Sequence, residues 1–450
     1  MHPASPPLRR RRLLAALAAA ALPGRHAAAA DERAAPAAAA ASAVATATGD
    51  ADRAAAASAL APTPTPAPGR IPGFVARGPL RWLQLGDVGG LAAFDAVASV
   101  AAASAAGLWL LDTGAEATVV HAALAAQLGL RQRGTRRVRG PGGRLDNVPA
   151  VEPPLLQVSG AGVPLHDAAV LDLSAHAAAA GEPVLGIVGW PTLGTAPWQL
   201  DLGALRWDAG TWTPPPAGVA TVATLPLSPE HTLPVVSARW GDRAPMPLLL
   251  DTGFAGGLML WGDAAQALGA AAGSGARIDV AGIGGRTTVS AVLLARLRVG
   301  AAEWHDVPVL LLPGSPLREV ASLRGVVGAI GMALFADAVL GHDPDSSARR
   351  AWTTAGTGAA PLPGGFGLDL AAAGGRLVVQ QVLAGGPAAA AGVRAGDLLL
   401  ALDGTPLPQP TPPAAWGRLR GVAEAVFGWQ RGDAPRTTRL RRERFFAPVS

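Results

Sequence analysis

Two stretches of this chain are near copies of one another. LLDTGAEATVVHAALAAQLGL (110–130) and LLDTGFAGGLMLWGDAAQALGA (249–270) both run from an apolar strand through Asp-Thr-Gly into a short helix that closes at Leu-Gly. Three more features follow each copy in the same order. GPGGR (140–144) stands against GIGGR (282–286), LHDAAVLDL against WHDVPVLLL, and VLGIVGWPTL (184–193) against VVGAIGMALF (326–335). The spacings agree too. From each Asp, the glycine cluster begins 28 or 31 residues on, and the His of His-Asp stands 54 residues on in both copies. The Gly that closes the late apolar strand follows 77 or 80 residues on. Order and distance are kept while most side chains differ, as in a duplicated structural unit. The unit is mainly β, with one short helix per copy, so two β lobes related by a pseudo-twofold are expected.

Asp112 and Asp251 each close an apolar strand, where a carboxylate is costly to bury unless something shares its charge or hydrogen-bonds it. Equal positions in a repeat put both turns at the twofold axis. Two carboxyls held that close do not both ionise readily and share one proton. One then serves as general base toward a water, and the other, protonated, as donor to the carbonyl under attack. Gly114 and Gly253 let the backbone turn and let another chain approach closely. Thr113 and Thr252 carry hydroxyls able to bond backbone across a neighbouring turn.

These residues resemble the aspartic proteases, and their retropepsin-like branch more than mature pepsin. The matching motifs are Asp-Thr-Gly-Ala at 112–115 with IVG at 187–189, and Asp-Thr-Gly-Phe at 251–254 with AIG at 329–331; the resemblance spans about 77–355. It implies an internal dimer with Asp112 and Asp251 as the catalytic pair. The late strand would thread between the arms of each catalytic turn, and Thr113 and Thr252 would interlock across the pair. It also implies glycine-tipped flaps over the cleft, at Gly140, Gly142 and Gly143 in one lobe and Gly282, Gly284 and Gly285 in the other. Two departures bear on this. The chain contains no Tyr, so the family's flap tyrosine has no equivalent. Ala115 and Phe254 stand where pepsin-like members place a Ser or Thr that donates to a catalytic carboxylate. Without that donor to the ionised form, activity is expected at mildly acidic to neutral pH.

Behind the repeat, GPAAAAGVRAGDLLLALDGTPL resembles the core of a PDZ domain of the bacterial protease type. The resemblance implies that Gly365, Phe366, Gly367 and Leu368 form a loop for a peptide carboxylate, whose peptide adds as a strand to a sheet edge. Segment 414–427 would be the second groove wall and 435–444 a closing strand. Gly396–Asp397 and Asp403–Gly404 read as turns.

The rest of the chain sets the frame. Arg9–Arg12, Leu13–Leu22 and small residues before Ala30 read as an export signal (1–30), with a twin-arginine route left open beside the general one. Residues 31–75 are an Ala/Pro-rich linker. Lobe 1 is expected over 76–215, lobe 2 over 216–358 and the PDZ domain over 361–447. The chain has no Cys and no Lys, and its net charge is +5 over 450 residues. Its arginines are mostly scattered, without a basic stripe interleaved with aromatics, which argues against nucleic acid. No metal, cofactor or stable membrane span is expected. GHDPDSS (341–347) lacks the Gly and closing Glu of a calcium loop, and His166-Asp167 and His305-Asp306 suit turns between strands. The sequence reads as an exported, envelope-associated aspartic endopeptidase acting on protein or peptide. The alternative is a non-catalytic envelope scaffold that captures peptide termini through its PDZ domain.

Overall fold

The computed structural model describes residues 44–46, 76–85, 89–210, 221–272, 275–336, 338–344, 350–354, 365–408, 419 and 422–449. The export signal and the junctions at 215/216 and 358–361 lie outside these residues, as does most of the linker. Of the linker, Val44–Thr46 forms a strand antiparallel to Gln132–Gly140, with Val44 opposite Arg139. Composition gave no reason to expect it. Val and Thr suit pleated backbone, and the strand it joins would otherwise be a sheet edge with unpaired backbone groups.

The two copies of the repeat fold alike. In lobe 1, Val184–Gly189 lies between Thr118–His121 and Ala103–Asp112. It runs parallel to the latter, with Gly189 opposite Asp112. In lobe 2, Gly328–Ile330 lies between Leu258–Trp261 and Met246–Leu250 and runs parallel to the latter, with Ile330 opposite Leu250. The strands before the Asp residues are covered on both faces. That is why GLWLL and PLLL read as unbroken apolar runs rather than alternating ones. Leu108 to Leu111 and Leu248 to Leu250 are all buried. The short helices Ala122–Gln127 and Gly262–Ala272 follow the second strand of each copy.

A third sheet joins the lobes from beneath. Its order is 221–226, 350–354, 339–343, 198–201, 206–209 and 76–79, so both copies contribute strands. One hydrophobic core runs through both lobes and this sheet, with Phe94 stacked on Trp207 and Trp304 edge-on to Phe335. Asp343 stands opposite Arg350 in the hairpin that carries GHDPDSS, whose residues 345–349 lie outside the described ones.

The C-terminal sheet has the order 368–373, 376–382, 398–402, 424–431 and 434–441, over a core of Phe366, Phe427 and Trp429. Here one expectation changes. Glu424–Phe427 belongs to a central strand, not to a groove wall, because its Ala425 and Phe427 fill the core on alternate positions; residues 411–418 lie outside the described ones. The chain also leaves the domain at its end. Ala447–Val449 pairs in parallel with Val292–Leu294 of lobe 2. Among the described residues, no helix is long and apolar enough to cross a membrane.

Candidate active site

The two Asp-Thr-Gly turns meet. The Thr113 N–H donates to Thr252 Oγ1 and the Thr252 N–H to Thr113 Oγ1, each at 3.0 Å. Each hydroxyl in turn donates into the other lobe, Thr113 Oγ1 to the Leu250 carbonyl at 2.6 Å and Thr252 Oγ1 to the Leu111 carbonyl at 2.8 Å. Four buried hydrogen bonds thus fix one turn against the other. Asp112 Oδ1 accepts from the Gly114 N–H and Asp251 Oδ1 from the Gly253 N–H, both at 2.9 Å. Both aspartates are buried. A Cβ on Gly253 would fall on the Asp112 carboxyl group. Only glycine lets the second turn come this near, and the backbone held by Asp251 therefore borders the carboxyl of Asp112.

The late strands complete each turn in the same way. Trp190 N–H donates to the Ala115 carbonyl at 2.9 Å, and Met332 N–H to the Phe254 carbonyl at 2.8 Å. Phe254 is fully buried and packs with Leu249, Met259 and Ala329 in the lobe 2 core. Its bulk serves packing, and neither it nor Ala115 brings a hydroxyl to the pair.

Glycine-tipped hairpins form over Gln132–Val151 (flap 1) and Ala276–Val299 (flap 2), turning where Gly140 faces Gly143 and Gly282 faces Gly285. Their tips touch. A Cβ on Gly142 would meet the Gly285 backbone, and one on Gly284, whose φ is +91°, would meet Gly143. Ile283, at the tip of flap 2, is buried in lobe 1 among Ala115, Val138, Val148 and Leu173.

Reasoning from sequence missed a polar group beside the dyad. Burial pushes the Glu116 carboxyl above its ordinary range, against the lowering influence of Ser322 of lobe 2, Arg136 and Arg139. Arg139, itself buried, lies 4.0 Å from Glu319 of lobe 2. A charged residue directly after Asp-Thr-Gly-Ala was the one available hint. The His-Asp pairs contribute conformation instead. Asp167 and Asp306 share a left-handed backbone, with φ of +48° and +53°. They face Arg136 at 3.7 Å and Arg444 at 2.5 Å. His305 lies inside the strand Ala302–Leu312 rather than between strands. Among the described residues, no cluster of His, Cys, Asp and Glu is placed to hold a metal ion.

In the C-terminal domain, Gly365 pairs with Glu443, and Gly367 has a φ of +77°. The Phe366 ring is buried beneath the Arg442 guanidinium, 4.4 Å away. The Phe366 carbonyl accepts from Ala388 N–H at 2.9 Å and the Gly367 carbonyl from Leu383 N–H at 2.8 Å, which turns both carbonyls inward.

The aspartyl protease family model matches residues 99–192 and 236–334, one segment per lobe, and the PDZ domain model matches residues 378–419. A crystal structure of an aspartic proteinase from Irpex lacteus is similar at 12% identity over 64% of this chain and 99% of that one, with a TM-score of 0.36. No curated protein matches the chain. The chain therefore has two β lobes, each with a segment that matches the aspartyl protease family model, followed by a domain with a segment that matches the PDZ domain model.

Proposed function

We propose that the chain is an aspartic endopeptidase whose two lobes form one active site, with Asp112 and Asp251 as its catalytic residues. The observation that carries this reading is the reciprocal bonding of Thr113 and Thr252, which sets two buried carboxyls at one junction beneath paired flaps. In the working state one carboxyl is ionised and the other protonated. The ionised one takes a proton from a water as its oxygen bonds to the peptide carbonyl carbon. The protonated one gives its proton to the carbonyl oxygen, leaving a tetrahedral diol. That diol collapses as the C–N bond breaks, a proton passes to the departing nitrogen, and the pair returns to one shared proton. Neither aspartate forms a bond to the substrate.

Thr113, Gly114, Thr252 and Gly253 hold the turns, and the tips at Gly140–Gly143 and Gly282–Gly285 close over the peptide and exclude water from it. The PDZ domain engages substrate or partner peptide ends through Gly365–Leu368. Export to the envelope, read from residues 1–30, completes the proposal. The test is hydrolysis of an internally quenched peptide set by the native chain and by Asp112→Asn and Asp251→Asn. Either substitution should abolish turnover while leaving PDZ peptide binding intact. A native chain that cleaves nothing at any pH would favour the scaffold reading.

A further inference from the structure

The C-terminal domain grips flap 2. Past its last sheet strand, the chain adds Ala447–Val449 in parallel to the flap strand Gly285–Val299, with Val292 opposite Ala447 and Leu294 opposite Val449. Just before that, Phe446 packs with Leu383 on Ala291 and Leu293, and Phe445 and Ile278 border the same cluster. Arg444 adds its ion pair to Asp306. On the outer flap strand Ala276–Gly282, the side-chain amide of Gln381 faces the backbone. Its Oε1 accepts from the Asp279 N–H at 3.3 Å and its Nε2 donates to the Arg277 carbonyl at 3.5 Å. One amide thus stands in for a neighbouring strand at a sheet edge. Among the described residues, flap 1 has no contact of this kind with the C-terminal domain: its outer arm pairs with Val44–Thr46 at Arg137–Arg139, and Gln132–Thr135 farther along are exposed.

We propose that the PDZ domain is a brace for flap 2, so that the cleft opens by movement of flap 1 while flap 2 stays with the C-terminal domain. Lifting flap 2 would strip a three-residue ladder, break the Gln381 bonds and uncover Phe446 and Leu383. Lifting flap 1 breaks none of these and instead parts Val44–Thr46 from Arg137–Arg139. Phe445 joins the brace to the peptide loop, since its ring lies within 3.6 Å of a Cβ placed on either Gly367 or Gly386.

Hydrogen exchange read by mass spectrometry tests the brace on the full chain carrying Asp251→Asn, which prevents self-digestion. In that background, peptides from 276–290 should exchange about tenfold more slowly than peptides from 132–148. Gln381→Ala should speed the flap 2 peptides about fivefold, the size expected for one or two lost hydrogen bonds, and leave flap 1 unchanged. Phe445→Leu should do the same without opening the core strand Glu424–Arg431, which reports any general unfolding. Flap 2 exchanging as fast as flap 1 before substitution would overturn the brace. So would flap 2 exchange that neither substitution alters. Both readouts need no turnover and no bound peptide, so they stand apart from the fate of the protease reading.

Discussion

Thr113 and Thr252 join the lobes through side chains that replace backbone partners. Thr113→Val keeps the shape but leaves the Thr252 N–H and the Leu250 carbonyl without their buried partner. Each orphaned buried group costs about 1–3 kcal/mol, so a loss of roughly 3 kcal/mol in stability is expected from the denaturant midpoint. Ala115 offers a test of a different kind. A hydroxyl there, in Ala115→Ser, would donate to the ionised dyad and move the acid limb of the pH–rate profile to lower pH. A profile unmoved by this substitution would show that the missing donor does not set the working pH. At this scale the sequence was most readable where chemistry restricts the choice of residue, as at the two Asp-Thr-Gly turns. Glu116 was not readable, because its burial depends on tertiary packing, with Ser322, 206 residues on, among the groups that act on it.

The elements divide by the same logic. The glycine-tipped hairpins were expected from the family resemblance, at glycine clusters that the close tip-to-tip approach requires. That Ile283 crosses into lobe 1, and that Val44–Thr46 lies along flap 1, depends on tertiary pairing that leaves no periodic trace. The helix Ser174–Ala180 carries a second tertiary effect, for it lies against the PDZ strand Leu368–Ala373. Burial lowers the pKa of its His176 to about 4, against the pull of Asp172. A folded value below the ordinary 6.5 means that the unfolded chain binds the extra proton first. Stability is therefore full above pH 6.5 and falls as pH drops from about 6.5 to about 4, by up to roughly 3 kcal/mol. His176→Leu should flatten that part of the stability curve, measured by urea midpoints at pH 7 and pH 4.5.

Across the whole molecule, the two lobes followed from the repeat and the PDZ domain from the resemblance of the last segment, whereas the way the last domain attaches could not be read. Ala447–Val449 is too short to announce a strand, and its partner strand lies some 150 residues earlier. Within the PDZ domain, burial acts to raise the Asp397 carboxyl, but the forked Arg431 guanidinium and the Arg394 N–H outweigh it and hold the group below its ordinary range. A depressed folded value gives stability that is present at neutral pH and is lost as pH falls through that value. Arg431→Ala should accordingly destabilise this domain at pH 7 and weaken its dependence on acid, as followed by hydrogen exchange of peptides from Glu424–Arg431. Acid would then affect the molecule twice, first through His176 and at lower pH through Asp397.

The central claim is that two lobes of one chain build a single hydrolytic dyad, and one comparison tests it most directly. Cleavage of an internally quenched peptide set should be measured from pH 3 to pH 8 for the full chain and for Asp251→Asn. The account predicts a bell-shaped profile with its maximum at mildly acidic to neutral pH, and a loss of about a thousandfold or more on substitution. Cleavage by Asp251→Asn at the native rate would contradict it, as would the absence of any cleavage by the native chain across that range.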